Sequence, residues 1–177
     1  MKSFINGDVP PNNRESDLTD RFQTLKVIFR KNLERFDVCS LEGRILIQKI
    51  VYFAQIFGFD LGYRFRWYIH GPYSAKLATD AFELDDKWES VRAAKLEGQE
   101  IDVLDHLYVF LSSRTESIKQ YSMWLEILGS IHFLKTLAPS RSKEETFASI
   151  IEHQNYFDLQ MCEQAWAYLN SFGLVSS

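Results

Sequence analysis

The sequence has few cysteines and no long hydrophobic run, and each absence excludes a class of protein. Cys39 and Cys162 are its two cysteines, and their separation gives no CxxC spacing. The sequence therefore predicts neither a disulfide framework nor a zinc site, and we expect both thiols to be reduced core residues. Apolar runs such as Ile50 to Ala54 are about five residues long, whereas a membrane-spanning helix needs roughly 20. We therefore expect no membrane span and no membrane partner.

An excess of positive charge is also lacking. Lys and Arg number 20 against 24 Asp and Glu, which gives a net charge of -4. The chain as a whole has no attraction for phosphate backbones, so specific DNA binding is not expected. The N-terminus turns polar at Asn6, Gly7 and Asp8 without the apolar stretch of a secretory signal, which favours a cytoplasmic location.

Sequence motifs for metal binding and catalysis are missing. The four histidines, His70, His106, His132 and His153, are too far apart to form a local metal pair. No GxSxG, GxxxxGK[ST] or GxGxxG motif occurs, so the common signatures of hydrolases and nucleotide-binding proteins are absent. The sequence predicts no metal, no cofactor and no catalytic residue, although a convergent site can still assemble in space.

What is present fits one globular domain. The chain has 177 residues, of which 46% are hydrophobic, including 14 Phe and 4 Trp, enough for a continuous core. Residues 1–16 contain Pro10-Pro11 and little apolar content, so we interpret them as a flexible N-terminal arm. Residues 17–177 are predicted to form a single helical domain.

Apolar residues at spacings of three and four predict helices along most of this domain. The first begins near Ser16 or Asp17 and continues through Leu33 and Phe36, with Phe22, Leu25 and Phe29 on the same stripe. The other predicted N-caps are Ser40, Ser74, Ser142 with Glu145 in a capping box, and Asp158. A further helix passes through Leu104, Leu107, Tyr108 and Leu111, and residues 85–98 are predicted to be irregular. The most apolar segment, 118–138, carries two stripes and predicts a central helix buried on most sides.

A short strand is predicted in the middle of the chain, where the period changes to two. Tyr63, Phe65, Trp67 and Ile69 would share one face, and Arg64, Arg66, Tyr68 and His70 the other. Gly71-Pro72 is expected to end the strand, and Ser74 to cap the helix through Ala75, Leu77, Ala78, Ala81 and Phe82. Arginine forks beside a helix N-terminus can receive a carboxylate or a phosphate. The alternative is a solvated strand face followed by an ordinary turn.

We interpret the polar face as the candidate partner-binding surface, because Arg and Tyr are enriched at interface hot spots. Its residues are Arg64, Arg66, Tyr68, His70, Gly71, Pro72, Tyr73 and Ser74. Substitution there is expected to leave the fold intact.

A polar stripe runs along the second helix. Gln48, Tyr52 and Gln55 fall at positions i, i+4 and i+7, beside Lys49. A buried polar network that fixes the neighbouring strand and a docking surface both explain it, and we favour the network because amide and phenol groups pair readily with strand backbone. Glu126 and His132 are interpreted in the same way, as core polar groups with hydrogen-bond partners rather than an acid–base pair.

The C-terminal helices end in Leu-Asn-Ser-Phe-Gly-Leu-Val, which is typical of a winged-helix core. The predicted fold class is therefore mainly α, compact, with a short β element in the middle and a winged-helix-like C-terminal part. From Arg141 onward, however, the chain contains two basic and five acidic residues, so DNA recognition by this element is not favoured.

The run from Ile47 to Gln55, followed by Tyr63 to Leu77 with its core His-Gly-Pro-Tyr-Ser, resembles the YwgA-like proteins of bacteria and archaea. It is similar, more distantly, to the Panacea (SocA-like) antitoxin domain, whose members share a lysine–tyrosine helix and a downstream Gly-Pro turn. The resemblance covers residues 18–175 in layout, and about thirty of them carry its specific motifs. It implies a compact, mainly helical fold.

For the Panacea relatives, the resemblance implies neutralisation of toxins by direct binding or, in SocA, presentation of a toxin to a protease. The first hypothesis is therefore a prokaryotic protein-interaction module of toxin–antitoxin or phage-defence type that binds a partner protein, such as a toxin or defence effector. A winged-helix-like DNA-binding regulator is the second, and an enzyme with a convergent site is the third.

Overall fold

The computed structural model describes residues 13–112 and 117–176, which form seven α-helices and one two-stranded antiparallel sheet. The elements in chain order are α1 (Asn13–Asn32), α2 (Leu41–Phe57), β1 (Arg66–Tyr68), β2 (Gly71–Tyr73), α3 (Ala75–Asp86), α4 (Gln99–Leu111), α5 (Ile118–Leu137), α6 (Lys143–His153) and α7 (Leu159–Ser171). The fold is therefore mainly helical with a short β element in the middle, as the sequence predicts.

Helices α2 and α5 lie at the centre of the fold and pack against each other. Helix α5 also contacts α6, α7 and strand β2, while α2 contacts α1, α3 and α4. Each of the two central helices has eleven buried residues. This confirms the prediction that the segment after residue 117 forms a central helix buried on most sides.

Aromatic contacts join the outer helices to this centre. The Phe53 ring of α2 lies 4.6 Å from Phe110 of α4, and Phe110 meets Phe172 edge-on at 5.1 Å. All three of these phenylalanine rings are apolar, and full burial of such a ring stabilises a fold by about 1.5–3 kcal/mol. The contacts hold α4 between α2 and the end of α7.

The predicted helix caps are confirmed. The side chains of Ser40, Ser74 and Asp158 each accept a hydrogen bond from the backbone three residues ahead. Ser142 and Glu145 form the complete capping box at the start of α6. Such caps satisfy N–H groups that a helix leaves without partners, which explains why the sequence marks these four starts so clearly.

Helix α1 differs from its prediction at both ends. It begins at Asn13 rather than near Ser16, and residues 1–12 of the predicted arm lie outside the described residues. It ends at Asn32, so Leu33 and Phe36 are not helical. Phe36 nevertheless stacks on Phe29 at 4.9 Å, because the chain turns back toward α1. The apolar spacing therefore continues after the helix has ended.

The two cysteines have different environments. Cys162 is buried in α7, and this burial raises the pKa of its thiol to about 11. Cys39 is exposed, which makes the predicted core position wrong. It lies in the connection before α2, where its backbone N–H donates to Asp37 Oδ1 at 2.8 Å.

Residues 87–98 contain neither helix nor strand, close to the predicted irregular stretch. The C-terminal part consists of α5, α6 and α7, and residues 117–176 contain no strand. The β-hairpin that a winged helix carries is therefore absent from this described part of the chain. Within the described residues, no helix is both long enough and apolar enough to cross a bilayer.

Candidate functional site

Strands β1 and β2 form a hairpin, residues 66–73, that lies between the two central helices and α3. Tyr68 pairs with Gly71, so Ile69 and His70 make the turn. The prediction of one strand ended by Gly71-Pro72 is therefore wrong, since these residues begin the second strand. Arg66 pairs with Tyr73, and residues paired directly share one face of a sheet.

The two faces of the hairpin meet different surroundings. The outer face carries Arg66, Tyr68 and Tyr73, and the two tyrosine rings lie 5.2 Å apart. The inner face carries Trp67 and its partner Pro72. This face is directed toward α5, where the Trp67 ring lies 6.3 Å from that of Phe133.

Two glycines allow the hairpin to approach α5 closely. Gly71 has a positive φ of 77°, and a Cβ atom there would lie 2.3 Å from Ser130 Oγ. Below Pro72, a Cβ on Gly129 would lie 3.0 Å from Lys49 Cδ. Larger residues at these positions would push the hairpin away from the central helix.

Two glutamines of α2 hold the chain on either side of the hairpin. The Gln48 amide accepts from Ser74 N at 2.8 Å and donates to Ser74 O at 3.0 Å. About two turns later, Gln55 makes the same pair of bonds with Tyr63, at 2.8 and 2.9 Å. A side-chain amide can replace a neighbouring strand in this way, because it offers one donor and one acceptor at strand-like separation. This is the arrangement that the network interpretation describes.

Lys49 contributes the most deeply buried charged group of the network. Its side chain is 1% exposed, and Nζ donates to the carbonyl oxygen of Pro72 at 2.7 Å. Burial lowers the pKa of the Lys49 amine to about 7, and the nearby Glu126 carboxylate opposes this shift. Pro72 has no N–H group, so its carbonyl oxygen is its single backbone hydrogen-bonding group. The Lys49 amine of α2 donates a hydrogen bond to that oxygen.

Tyr52 pairs with His132 between α2 and α5. The phenol oxygen lies 2.7 Å from Nδ1 of the imidazole. Burial lowers the pKa of His132 to about 4 and raises the pKa of the Tyr52 hydroxyl. Both groups are therefore neutral at pH 7, and the tautomer of the imidazole decides which of the two donates this hydrogen bond. Both side chains are core polar groups that satisfy each other, rather than an acid–base pair open to a substrate.

Glu126 lies at the centre of a second cluster, under the hairpin turn. Its Oε1 atom accepts from Gln154 Nε2 at 2.8 Å and from the Tyr156 hydroxyl, and it lies 3.1 Å from Nδ1 of His70. Gln154 also donates to the carbonyl oxygen of Ile69 at 3.1 Å. The turn is thus tied both to α5 and to the connection between α6 and α7. Burial and the Glu126 carboxylate together raise the pKa of the Tyr156 hydroxyl.

A groove of about 380 Å³ opens beside the outer face of the hairpin, between α2 and α3. Its lining is mostly apolar and consists of Leu41, Arg44, Ile45, Ile47, Gln48, Lys49, Tyr68, His70, Tyr73, Ala78 and Phe82. Three of these apolar side chains remain about half exposed: Leu41 at 48%, Phe82 at 50% and Tyr68 at 56%. Arg44 is the surface cation of this lining, and no carboxylate belongs to it. Of the larger depressions elsewhere, one of about 620 Å³ beside α1 contains none of the predicted partner-binding residues, whereas one of about 540 Å³ beside Asp60 contains Arg64.

The predicted partner-binding residues divide between the surface and the interior. Arg64, Arg66 and Tyr68 are exposed, and Tyr73 is half-buried at the groove. His70 is half-buried and turns back toward Glu126, so it does not continue the exposed face. Gly71, Pro72 and Ser74 are buried, where they position the hairpin.

The predicted apolar face is also wrong at one position. Ile69 is 63% exposed, although Tyr63, at the other end of the pattern, is buried. Alternation between faces holds only where the strand is paired, and Ile69 lies in the turn. The period of two therefore stops at Tyr68.

Sequence reasoning missed two contributions to the site. Leu41 and Arg44 of α2 line the groove, and Gln154 and Tyr156 hold the turn from beyond α6. Phe82 was predicted as a residue of the helix that Ser74 caps, and it is half exposed at the groove. A signal for Phe82 exists in the sequence, because Leu77, Ala81 and Leu84 already complete the buried stripe at helical spacing.

Within the described residues, no cluster of three or more His, Cys, Asp or Glu side chains is placed to hold a metal ion. We found no match to this chain among protein-family models, curated proteins or solved structures. The site must therefore be interpreted from its own geometry.

Proposed function

We propose that this chain is a protein-interaction module of antitoxin or defence-system type that acts in the prokaryotic cytoplasm by binding a partner protein directly. The observation that carries the proposal is the groove, where an exposed apolar lining lies beside a hairpin that is tied down from the inside. Exposed apolar surface that is rimmed by polar residues is characteristic of interaction sites. Aromatic and arginine side chains are also the residues that most often dominate binding energy.

The tethers of the hairpin support a binding role. Lys49 of α2 and Gln154, which follows α6, bind its backbone through side-chain hydrogen bonds, and Gln48 holds Ser74 directly after it. A surface that is already ordered loses little conformational entropy when a partner binds. The hairpin can therefore present Tyr68 and Tyr73 in one fixed arrangement.

A photo-crosslinking experiment in the native host tests this proposal. A photoreactive phenylalanine analogue replaces Phe82 in the groove and, as the matched control, Val109, which is 58% exposed on α4. We expect one protein to be crosslinked at position 82 and not at position 109. That protein is then co-expressed with wild type and with Phe82→Glu, and we expect wild type alone to neutralise its effect on growth. Equal crosslinking at both positions, or none at either, would contradict the proposal.

The DNA-binding alternative has less support from the charges of the C-terminal helices. Helix α7 contains no Lys or Arg, and Lys143 of α6 is paired with Glu163. A recognition helix without cations gains little from phosphate contacts. We expect any DNA binding to be nonspecific and lost by about 200 mM salt. Specific binding that survives this salt concentration would make the regulator hypothesis the better one.

An enzyme with a convergent site is favoured by one observation. The His70 imidazole at the groove is held by the buried Glu126 carboxylate, an arrangement that enzymes use to orient a general base. The lining of the groove, however, contains no Ser, Thr or Cys that this base could activate. We therefore expect no turnover, and a catalytic activity that His70→Gln abolishes would overturn the non-enzymatic interpretation.

A further inference from the structure

We propose that the groove binds a segment of the partner protein in which a large apolar anchor residue is flanked by Asp or Glu. This inference rests on the proposed binding function and names the chemistry of the segment that is bound. It follows from two features of the described residues: the distribution of charge and the apolar lining.

The charge around the groove differs in sign from the charge of the whole chain. Residues 61–79 contain Arg64, Arg66 and Lys76 but no Asp or Glu, although the chain carries a net charge of -4. Lys76 is paired with Asp80 at 2.9 Å. Arg64 and Arg66 are exposed and make no ion pair within the described residues. Arg64 belongs to a separate depression that also contains Asp60, so Arg66 is the guanidinium on the groove side of the hairpin that is free to receive a carboxylate.

The groove itself lacks negative charge. Arg44 belongs to its lining, and one of its nitrogens donates to the carbonyl oxygens of Val38 and Cys39, which fixes the guanidinium at the edge of α2. Arg66 lies on the same hairpin face as Tyr68 and Tyr73. Cations thus lie at the α2 side and the hairpin side of the apolar lining, so a basic segment would be repelled on both sides.

The interior of the groove selects for an apolar anchor. Phe82 and Leu41 contribute large exposed side chains, and Ala78 between them leaves space. The volume of about 380 Å³ lies at the low end of the range for sites that enclose a ligand, roughly 300–1,000 Å³. A nucleic acid fits poorly, because a phosphate backbone needs a continuous basic track rather than an apolar floor with separate cations.

The test is selection of random 12-residue peptides displayed on phage against the full chain. Tyr68→Glu/Phe82→Glu serves for counter-selection, since both side chains are about half exposed and the variant should melt like wild type. We expect the enriched sequences to share an aromatic or aliphatic residue next to Asp or Glu. A consensus peptide is then synthesised with a fluorescent label, and its affinity is measured by anisotropy.

We expect Arg64→Glu/Arg66→Glu to weaken the binding of that peptide by about tenfold or more, a loss that corresponds to 1.4 kcal/mol or more. Val109→Glu, which adds one negative charge at an exposed position of α4, should leave the affinity unchanged. Lys or Arg in the consensus, or no enrichment over the counter-selected variant, would overturn the proposal. Acidic peptides that bind the Tyr68→Glu/Phe82→Glu variant equally well would also overturn the inference about the groove. They would not contradict the binding of a partner protein to another surface of the chain. The proposed function itself fails on the crosslinking experiment in the native host, if positions 82 and 109 are crosslinked equally or not at all.

Discussion

The inner and outer sides of the hairpin differ in what holds their residues in place. On the inner side, Gly71 and Gly129 permit contact with α5, and the buried Lys49 amine binds the backbone of Pro72. On the outer side, Arg66 and Tyr68 are exposed. Substitutions on the inner side should therefore change the stability of the fold, whereas substitutions on the outer side should change binding. Residues of the inner side thus hold the hairpin in place, whereas residues of the outer side are those that we expect to contact a partner.

The largest expected effect is the pH dependence of stability that Lys49 produces. Its pKa falls from 10.5 to about 7 on folding, so between these pH values the unfolded chain binds the extra proton. Stability should consequently rise with pH above 7, by at most about 5 kcal/mol over the whole window. In Lys49→Met this rise should disappear.

Chemical denaturation between pH 7 and pH 9 measures this effect. Over this range the buried tyrosines do not interfere, because burial raises their pKa values, and Cys162 lowers stability only near pH 9, where the unfolded thiol, with a pKa of 9.0, ionises first. Lys76→Met, at a half-exposed lysine of α3, is the control and should retain the rise. If Lys49→Met and wild type show the same slope, the amine is solvated in the native state.

The second effect tests the close approach of the hairpin to α5. In Gly71→Ala, the new methyl group meets Ser130 Oγ and the backbone keeps a positive φ, so we expect a loss of about 2–4 kcal/mol. Gly98→Ala is the matched control, because Gly98 also has a positive φ but nothing lies within 4 Å of the added Cβ. It should cost about 1–2 kcal/mol.

Ser130→Ala in the Gly71→Ala background sharpens this test. The Ser130 hydroxyl is buried and has no hydrogen-bond partner among the described residues, so its removal alone should be neutral or stabilising. It should also restore part of the stability that Gly71→Ala loses. Melting curves of the four proteins give the coupling, and strictly additive effects would mean that the two residues do not touch.

The third effect concerns the link between the central helices. Burial lowers the pKa of His132 from 6.5 to about 4, so the unfolded chain binds more protons between these values. Stability should therefore fall by at most about 3 kcal/mol as the pH decreases from 6.5 to 4. His132→Gln should reduce this acid sensitivity, and His106→Gln, on the exposed side of α4, should not. Denaturation at pH 4.5 and pH 7 compares them.

The sequence predicts the inner side of this comparison better than the outer side. Ser40 and Ser74 mark helix starts through local chemistry, and Gln48 and Gln55 mark the tethered face through helical spacing alone. Both signals depend on residues close together in the chain. Local patterns of this kind can be recognised without a structure.

Contacts over long separations could not be predicted in this way. Gln154 reaches Ile69 across 85 positions, and no periodicity relates them. The groove joins the start of α2, the hairpin and α3, so its lining depends on how these elements pack. The sequence did not predict the turn at Ile69 and His70, because a proline usually ends a strand and Pro72 was therefore placed outside it. In the structure Pro72 lies within β2, where the Lys49 amine binds its carbonyl oxygen in place of a further strand.

The smallest expected effect on stability belongs to the outer side and decides whether the two sides are truly separate. Arg64 and Arg66 are exposed and make no ion pair within the described residues, so Arg64→Glu/Arg66→Glu should cost at most about 1 kcal/mol of folding stability. For a partner with an acidic segment, the same change should cost several kcal/mol of binding through repulsion and lost pairing. Melting temperature and affinity for the crosslinked partner are measured on the same samples, with Lys95→Glu at an exposed lysine of the irregular segment as the control.

If the double variant unfolds, the arginines belong to the structural network of Gln48 and Gln55. If it folds and binds as wild type does, the partner contacts another surface, because a reversed charge at Arg66, on the hairpin face beside the groove, could not leave an acidic segment unaffected.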